Sequence, residues 1–186
     1  MNEHPLHKKV GEQLLGLKLI GQRPILDEAC DNSSNGKKQQ ISLFVHKKNL
    51  ESRLCKVDAI IVQQENNNDT VKIIIEIEES GFNPTKICGK YLTSAIANKY
   101  IDSNGKTIVI PENSVLFIQI VDLPKLVREK ENSKKRKQLE IIRDEINKNK
   151  IGCIKQYELI FMDRNNQKDF DKFRDVIEKY LNIKSL

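Results

Sequence analysis

The sequence predicts an α/β protein with a mixed central β-sheet that is flanked by helices. Three observations predict this class. The β-branched run VKIIIEIE at 71–78 follows other short apolar runs, which indicates a set of antiparallel hairpin strands. Two later apolar runs, at 114–121 and 153–162, are separated by a long helical pattern, as in a crossover connection. The run SVLFIQIV at 114–121 is almost continuously apolar, which is typical of a strand covered on both faces.

The N-terminal part of the chain is predicted to hold one helix and three strands. An apolar stripe at helical spacing predicts an amphipathic helix over 5–20, with the stripe formed by Leu6, Val10, Leu14 and Leu17. The polar segment 21–40, which contains DNSSNGKK, is predicted to be a surface loop. An antiparallel meander follows, with a polar loop at 63–70 before its last strand and strands at 41–45, 56–62 and 71–78.

The C-terminal part is predicted to alternate helices with strands. A glycine–proline break precedes a helix over about 85–100, and a proline at a favourable early position opens a second helix at 124–149. The closing helix, about 168–183, is marked by Phe170, Phe173, Ile177 and Tyr180. These elements are expected to form a single domain over 1–186, with a core covering about 5–163.

Composition sets limits on location and partners. The chain has 186 residues, and 32 Lys and Arg against 26 Asp and Glu give a net charge of +6. This is a modest indication of a polyanionic partner, although the excess of Lys over Arg also fits a coding bias. No apolar run approaches ~18 residues, and the N-terminus lacks the apolar core of a signal peptide. The expectation is a cytoplasmic protein without a membrane partner.

The four cysteines give no indication of a metal cluster or a disulfide framework. No two of them are spaced as a CxxC pair. Three lie within apolar segments, and all are expected to act as small apolar side chains.

Three carboxylates carry the main functional signal. Glu76 and Glu78 are two apart on a predicted strand, so they point to one face. Two carboxylates near an apolar core repel each other and need a neutralising cation, and Mg²⁺ prefers carboxylate oxygens. Asp58 lies on the preceding predicted strand and would join them if residue 58 were opposite residue 76, whereas a slip of one residue would turn it away. The alternative is that Glu76 and Glu78 form the solvated face of a half-exposed strand.

The run VDAIIV, the polar loop, the run KIIIEIEES and the following helix resemble the PD-(D/E)xK nuclease superfamily. The resemblance implies an αβββαβ core, a restriction-endonuclease-like fold and Mg²⁺-dependent hydrolysis of nucleic-acid phosphodiesters. It implies that Asp58 and Glu76 are the family's first and second acids and bind one or two metal ions. Glu78 stands where the usual lysine is found, a variant known in restriction endonucleases in which this carboxylate is proposed to act on the attacking water. Val57 stands in place of the usual proline.

In size and local sequence the chain is most similar to the small, cleaving subunit of a heterodimeric type IIS restriction (nicking) endonuclease. This similarity implies a double-stranded DNA substrate. It also implies a larger protein subunit that supplies sequence recognition. Rival interpretations are a homodimeric type II restriction enzyme or junction resolvase of the same fold, a noncatalytic nucleic-acid-binding or assembly module, and a basic scaffold protein that binds no nucleic acid.

Further candidate residues lie on the predicted helices. Lys86 and Lys90 are one turn apart after the acidic strand, where either could replace the missing lysine or simply be solvated. Glu12 is a candidate metal-site acid, because some relatives place one in the first helix. Residues 125–150 hold ten Lys or Arg against five Asp or Glu, so they form either a phosphate- or partner-binding surface or a solvated helix face, with the densest run at Lys134, Lys135, Arg136 and Lys137.

The histidines at the N-terminus receive a different interpretation. His4 and His7 have i, i+3 spacing, and no third ligand is evident nearby in the sequence. They are expected to be a frayed surface pair rather than a metal site.

Overall fold

The computed structural model describes residues 4–31, 39–46, 49–65 and 68–183. Within these ranges the chain forms five helices and nine strands. The helices are α1 (Pro5–Leu15), α2 (Pro84–Ala95), α3 (Leu123–Val127), α4 (Asn132–Lys148) and α5 (Gln167–Tyr180). The strands are β1 (Gln22–Leu26), β2 (Ile41–Phe44), β3 (Arg53–Val57), β4 (Ala59–Glu65), β5 (Asn68–Glu78), β6 (Lys99–Ile101), β7 (Thr107–Val109), β8 (Val115–Asp122) and β9 (Ile154–Met162).

The strands form one mixed sheet. Antiparallel pairs join β1 to β4 and β4 to β5, and parallel pairs join β5 to β8 and β8 to β9. The remaining strands extend the sheet through β7, β6, β2 and β3. The predicted mixed α/β class is therefore confirmed. Taken without the β2–β3 and β6–β7 pairs, the elements α1, β1, β4, β5, α2 and β8 follow one another in the order αβββαβ.

Helices cover both faces of the central strands. On one face, here called the α2 face, Ile74 and Phe117 of the sheet pack with Tyr91 of α2 and Leu139 of α4. On the other, the α1 face, apolar side chains of α1 and α5 pack against strand residues such as Ile75. Every residue of β8 is buried, so the predicted doubly covered strand is confirmed. Among the described residues, no helix has the length and apolar character needed to cross a bilayer.

The structure corrects the predicted meander. Residues 22–26 lie in the segment predicted to be a loop, yet they form β1, whose short, polar sequence hides its strand character. Pro24 is tolerated because β1 lies at the edge of the sheet. The strand predicted at 41–45 is confirmed as β2, but it pairs with β3 and β6, so β1 takes its place beside β4. Residues 32–38 of the predicted loop lie outside the described residues.

Several element boundaries also differ from the predicted ones. The strand predicted at 56–62 is two strands that meet at Asp58, and most of the loop predicted at 63–70 is strand. The helix predicted at 124–149 is divided into α3 and α4, with Glu131 in a left-handed conformation (φ 60°) between them. The helices predicted at 5–20 and 85–100 end earlier, at Leu15 and Ala95.

The position of α1 depends on a close backbone approach at Gly11. A Cβ at this residue would lie 2.0 Å from the carbonyl oxygen of Cys30, so only glycine permits the contact. The helix is thereby held against the segment that follows β1. This contact matters for the site because α1 brings its N-terminus to the end of β5.

We expect Gly11→Ala to lower the free energy of unfolding by roughly 1–3 kcal/mol, because the new methyl group forces α1 away from the Cys30 backbone. Gly89→Ala is the matched control, since Gly89 is an exposed residue of α2 whose Cβ would meet nothing within 4 Å. That variant should be more stable than the wild type by about 0.5–1 kcal/mol. Thermal or urea unfolding measures both, and equal effects of the two substitutions would contradict this account of α1 docking.

Candidate active site

The candidate site lies at the C-terminal end of β5 and is built by the register of the β4–β5 pair. Ala59 pairs with Ile75, which brings the preceding residue, Asp58, to the level of Glu76. Asp58 itself lies in the break between β3 and β4. Its carboxylate Oδ2 accepts a hydrogen bond of 2.6 Å from the Ile77 amide, which anchors it to β5.

Glu76 and Glu78 point toward the α2 face and are buried, with exposed fractions of 1% and 3%. The interpretation that they form a solvated strand face is therefore wrong. Helix α2 supplies their cations: Lys90 Nζ lies 2.8 Å from Glu76 Oε2 and 2.6 Å from Glu78 Oε1. Lys86, one turn earlier, lies 3.5 Å from Glu78 Oε2. The sequence left open whether these lysines are solvated, and the structure places Lys90 directly between the two glutamates.

The start of α2 determines where these lysines lie. Gly81 adopts a left-handed conformation (φ 62°) after β5 and turns the chain. The Asn83 side chain then caps the helix by accepting a hydrogen bond from the Thr85 amide. Because the helix begins here, its first and second turns lie over the end of β5, and Lys86 and Lys90 project toward the carboxylates.

Burial and neighbouring charges shift the pKa values of the residues that form this site. Burial and the charge of Asp58 raise the pKa of Glu76 to about 8, although Lys90 opposes the shift. Burial works to lower the pKa of Lys90, but the charges of Glu76 and Glu78 outweigh it and raise that pKa. Glu76 Oε1 is buried and accepts no hydrogen bond from any residue that the structure describes. A buried carboxylate oxygen without a donor, beside a second carboxylate, fits a divalent cation held by Asp58 and Glu76.

His7 was not identified from the sequence as part of the site, and the expectation of a surface position is wrong for it. Only 7% of His7 is exposed. Its Nδ1 lies 3.0 Å from Glu79 Oε1 and its Nε2 lies 3.6 Å from Asp58 Oδ1. Glu79 Oε1 also accepts hydrogen bonds from the backbone amides of Leu6 and His7 at the start of α1. In the sequence, the only indication of this contact was the acidic residue Glu79 directly after the EIE run.

The charges on the α1 face are balanced differently from those on the α2 face. Burial works to lower the pKa of His7, but hydrogen bonds with Asp58 and Glu79 outweigh it and raise that pKa to about 9. Burial works to raise the pKa of Glu79, but hydrogen bonds with His7 and Lys125 outweigh it and lower that pKa to about 2. The pKa of Asp58 is also lowered, because His7 and Lys90 more than offset its burial. Glu79 and Asp58 are therefore ionised at neutral pH, whereas the pKa of Glu76 is raised although Lys90 pairs with it.

The remaining predicted residues lie apart from this cluster. Glu12 is on the exposed side of α1, where it lines a shallow depression with Lys9 and Arg164. The basic run lies at the start of α4, which packs on α2 and β9. Three of its four cations are paired with glutamates, namely Lys134 with Glu131, Lys135 with Glu129 and Arg136 with Glu140.

Comparisons of the chain with protein-family models, with curated proteins and with solved structures return no match. The functional interpretation therefore depends on the geometry of Asp58, Glu76, Glu78 and Lys90. The resemblance to the PD-(D/E)xK nucleases stays a prediction.

The raised pKa of Glu76 predicts how its removal changes stability with pH. The folded chain keeps the Glu76 proton up to a pKa of about 8, whereas the unfolded chain releases it near the ordinary value of 4.5. Ionisation of Glu76 thus lowers the stability of the wild type progressively as pH rises between these values. We expect Glu76→Gln to be stabilising at about pH 9, by on the order of 2 kcal/mol, and nearly neutral at about pH 5.

Melting temperatures of the metal-free proteins across this pH range test the prediction. Glu112→Gln, at an exposed glutamate, is the control for a general change in net charge. A stability difference between Glu76→Gln and the wild type that stays constant with pH would show that the environment of Glu76 is not the one described.

Proposed function

We propose that this chain is the Mg²⁺-dependent, DNA-cleaving subunit of a heterodimeric restriction endonuclease, and that it works in the cytoplasm. The observation that carries the proposal is the pair of buried carboxylates of Glu76 and Glu78 at the end of β5, with the half-buried Asp58 beside them. Within this group Glu76 Oε1 has no hydrogen-bond donor among the described residues. Buried carboxylates without full compensation are costly to a fold. They are common where a protein must bind a divalent cation.

The donor set defines the role of each residue. Asp58 and Glu76 would hold one or two Mg²⁺ ions, which favour carboxylate oxygens, water and substrate phosphate as ligands. The metal, when bound, activates water and neutralises the negative charge that develops on the phosphoryl group. Glu78 lies on the same face, two residues along β5, where it can orient the attacking water and accept its proton.

Lys90 supports the proposal because it brings a cation to the position that the sequence motif leaves without a lysine. Its ammonium lies between Glu76 and Glu78, so in the absence of other cations it neutralises part of their charge. We infer that Lys90 transfers its contacts to the phosphate of the DNA when a divalent cation takes over the carboxylates. Lys86, which is more exposed, adds a second positive charge on the same side of the site.

The proposal includes a partner because one such site cuts one strand in each binding event. A double-strand cut requires a second site on a second subunit. In the described residues, the elements beyond the αβββαβ core all belong to the same sheet or to the helices beside it, and we infer that they leave little surface for reading a base sequence. Sequence recognition is therefore assigned to a larger partner protein.

One observation favours the noncatalytic alternative. Lys90 already forms short ion pairs with both glutamates, and a structural ion-pair cluster would have the same appearance. In that case the cluster would stabilise the fold and would bind Mg²⁺ no more tightly than an exposed acidic surface does. Metal binding and the loss of activity in variants separate the two functions.

We expect Glu76→Ala to abolish DNA cleavage while the chain stays folded, with unchanged or slightly higher stability in the absence of metal. Adding Mg²⁺ should raise the melting temperature of the wild type, because the ion binds the native state, and should raise that of the variant less. Plasmid nicking in the presence of the candidate partner and melting curves with and without Mg²⁺ measure both effects. Glu112→Ala is the surface control. Wild-type cleavage by Glu76→Ala would refute the metal-site assignment, and an unfolded variant would make Glu76 a structural residue.

The isolated chain is expected to differ in activity from the complex with its partner. We expect the purified chain with Mg²⁺ to nick plasmid DNA poorly or not at all, because sequence recognition and the second site belong to the partner. Activity should appear when proteins encoded by neighbouring genes are added. Efficient, sequence-specific double-strand cleavage by the chain alone would instead support a homodimeric enzyme of the same fold.

A further inference from the structure

We propose that His4, His7 and Glu79 form a second divalent-cation site, suited to a borderline metal such as Zn²⁺ rather than to Mg²⁺. This site goes beyond the proposed nuclease function and does not depend on it. It is made by the start of α1 and by the residue that follows β5. Its residues are distinct from the Asp58–Glu76 pair assigned to Mg²⁺.

The three residues offer their ligand atoms to a common point. One imidazole nitrogen from each histidine and one Glu79 oxygen all lie within 4.8 Å of one another. The two rings lie at 64° to each other with centroids 5.1 Å apart, an arrangement set by their i, i+3 spacing. His7 Nδ1 and Glu79 Oε1 are hydrogen-bonded at 3.0 Å in the metal-free chain, and a cation that binds both atoms would take the place of the proton between them.

The chemistry of this set selects the metal. Two imidazoles and one carboxylate are a recurrent three-residue zinc set, and they leave a fourth position for water. Imidazole nitrogen favours Zn²⁺ and Ni²⁺, whereas Mg²⁺ takes oxygen ligands almost exclusively. The chain therefore offers two cation sites of different type at one end of β5. One is made of oxygen ligands and the other is mainly of nitrogen ligands.

The groups around the three ligands already have the arrangement of an outer shell. His7 turns its second nitrogen, Nε2, toward Asp58 Oδ1 at 3.6 Å, so the nitrogen opposite the metal faces a carboxylate. The second oxygen of Glu79, Oε2, is bound by Lys125 Nζ at 2.8 Å. A histidine that ligates a metal through one nitrogen typically donates a hydrogen bond from the other to a carboxylate, which fixes the ring. This is a second observation, independent of the ligand cluster, that points to a metal at His7 Nδ1.

The site is also accessible. His4 is exposed at the N-terminus of α1, whereas His7 and Glu79 are buried. A cation can therefore reach the site from solvent on the side of His4. The α1 backbone amides that bind Glu79 Oε1 hold the carboxylate in place before any metal arrives.

The test is calorimetric titration of the full, tag-free chain with Zn²⁺, with a parallel titration with Mg²⁺. We expect one Zn²⁺ per chain. Loss of an outer-shell partner typically weakens metal binding by about 10–100-fold. His4→Ala removes a direct ligand at an exposed residue, so it should weaken Zn²⁺ binding by more than this. His46→Ala, at the third and also exposed histidine of the chain, is the matched control and should leave the affinity unchanged.

Two further variants separate this site from the proposed Mg²⁺ site. Glu79→Gln should weaken Zn²⁺ binding, whereas Glu76→Gln should weaken Mg²⁺ binding and leave Zn²⁺ binding intact. Co²⁺ is the second probe, because the intense near-ultraviolet absorption of thiolate ligation would identify the cysteines as the true ligands. Melting curves of each variant confirm that it is folded.

The outcomes are distinct. Three results would each overturn this site, whatever the Mg²⁺ results. They are Zn²⁺ binding that is unchanged in His4→Ala, Zn²⁺ binding that is lost in His46→Ala, and thiolate absorption in the Co²⁺ complex. Loss of Mg²⁺ binding and of cleavage in Glu76→Gln would still support the nuclease proposal in that case. Conversely, normal Zn²⁺ binding with no Mg²⁺ binding would leave the histidine site standing and remove the nuclease site.

Discussion

The pairing of β4 with β5 is the constraint on which the rest of the site depends. The ladder from Ala59–Ile75 to Ile61–Ile73 is made of apolar side chains that are fully buried on both faces of the sheet. A slip of one residue would exchange the two faces of β5 and leave the glutamates among apolar side chains of α1 and α5. The burial of this ladder therefore holds Asp58 at the level of Glu76. The Asp58 carboxylate lies outside the apolar core and contributes nothing to it.

The alternation of side chains at the end of β5 divides the acidic residues between two sets of cations. Glu76 and Glu78 point to the α2 face, where Lys90 and Lys86 reach them, whereas the next residue, Glu79, meets His7 of α1 and Lys125 of α3. Different helices thus supply the cations of the two sets of carboxylates. Cations and hydrogen-bond donors outweigh burial at Glu79 but do not at Glu76, and this difference explains why the pKa of Glu79 is lowered and that of Glu76 is raised. The helices are consequently part of the electrostatic environment of the site as well as covers for the sheet.

Asp58 connects the two faces. Its Oδ1 lies toward His7 and its Oδ2 is bound by the Ile77 amide, while the charges of Lys90 and Glu76 are close enough to affect the titration of the group. A cation that draws Asp58 toward Glu76 therefore also changes the surroundings of His7. Asp58 would thus be a ligand of the proposed Mg²⁺ site and, at the proposed Zn²⁺ site, only an outer-shell neighbour of His7.

Local sequence determined the class of the fold and the identity of the acidic strand. The β-branched run at 71–78 and the almost continuously apolar run at 114–121 predict a sheet covered on both faces, and the period of two places Glu76 and Glu78 on one face. Tertiary structure alone decided the rest. In the folded chain, part of a predicted loop forms the edge strand β1, and Asp58 lies in a break between two strands. Lys90 lies between the two glutamates, and His7 is buried against Glu79. The His7–Glu79 contact joins residues 72 positions apart, so it depends on where α1 docks. Propensity and periodicity describe only near neighbours in the chain, whereas docking is set by packing across the whole domain.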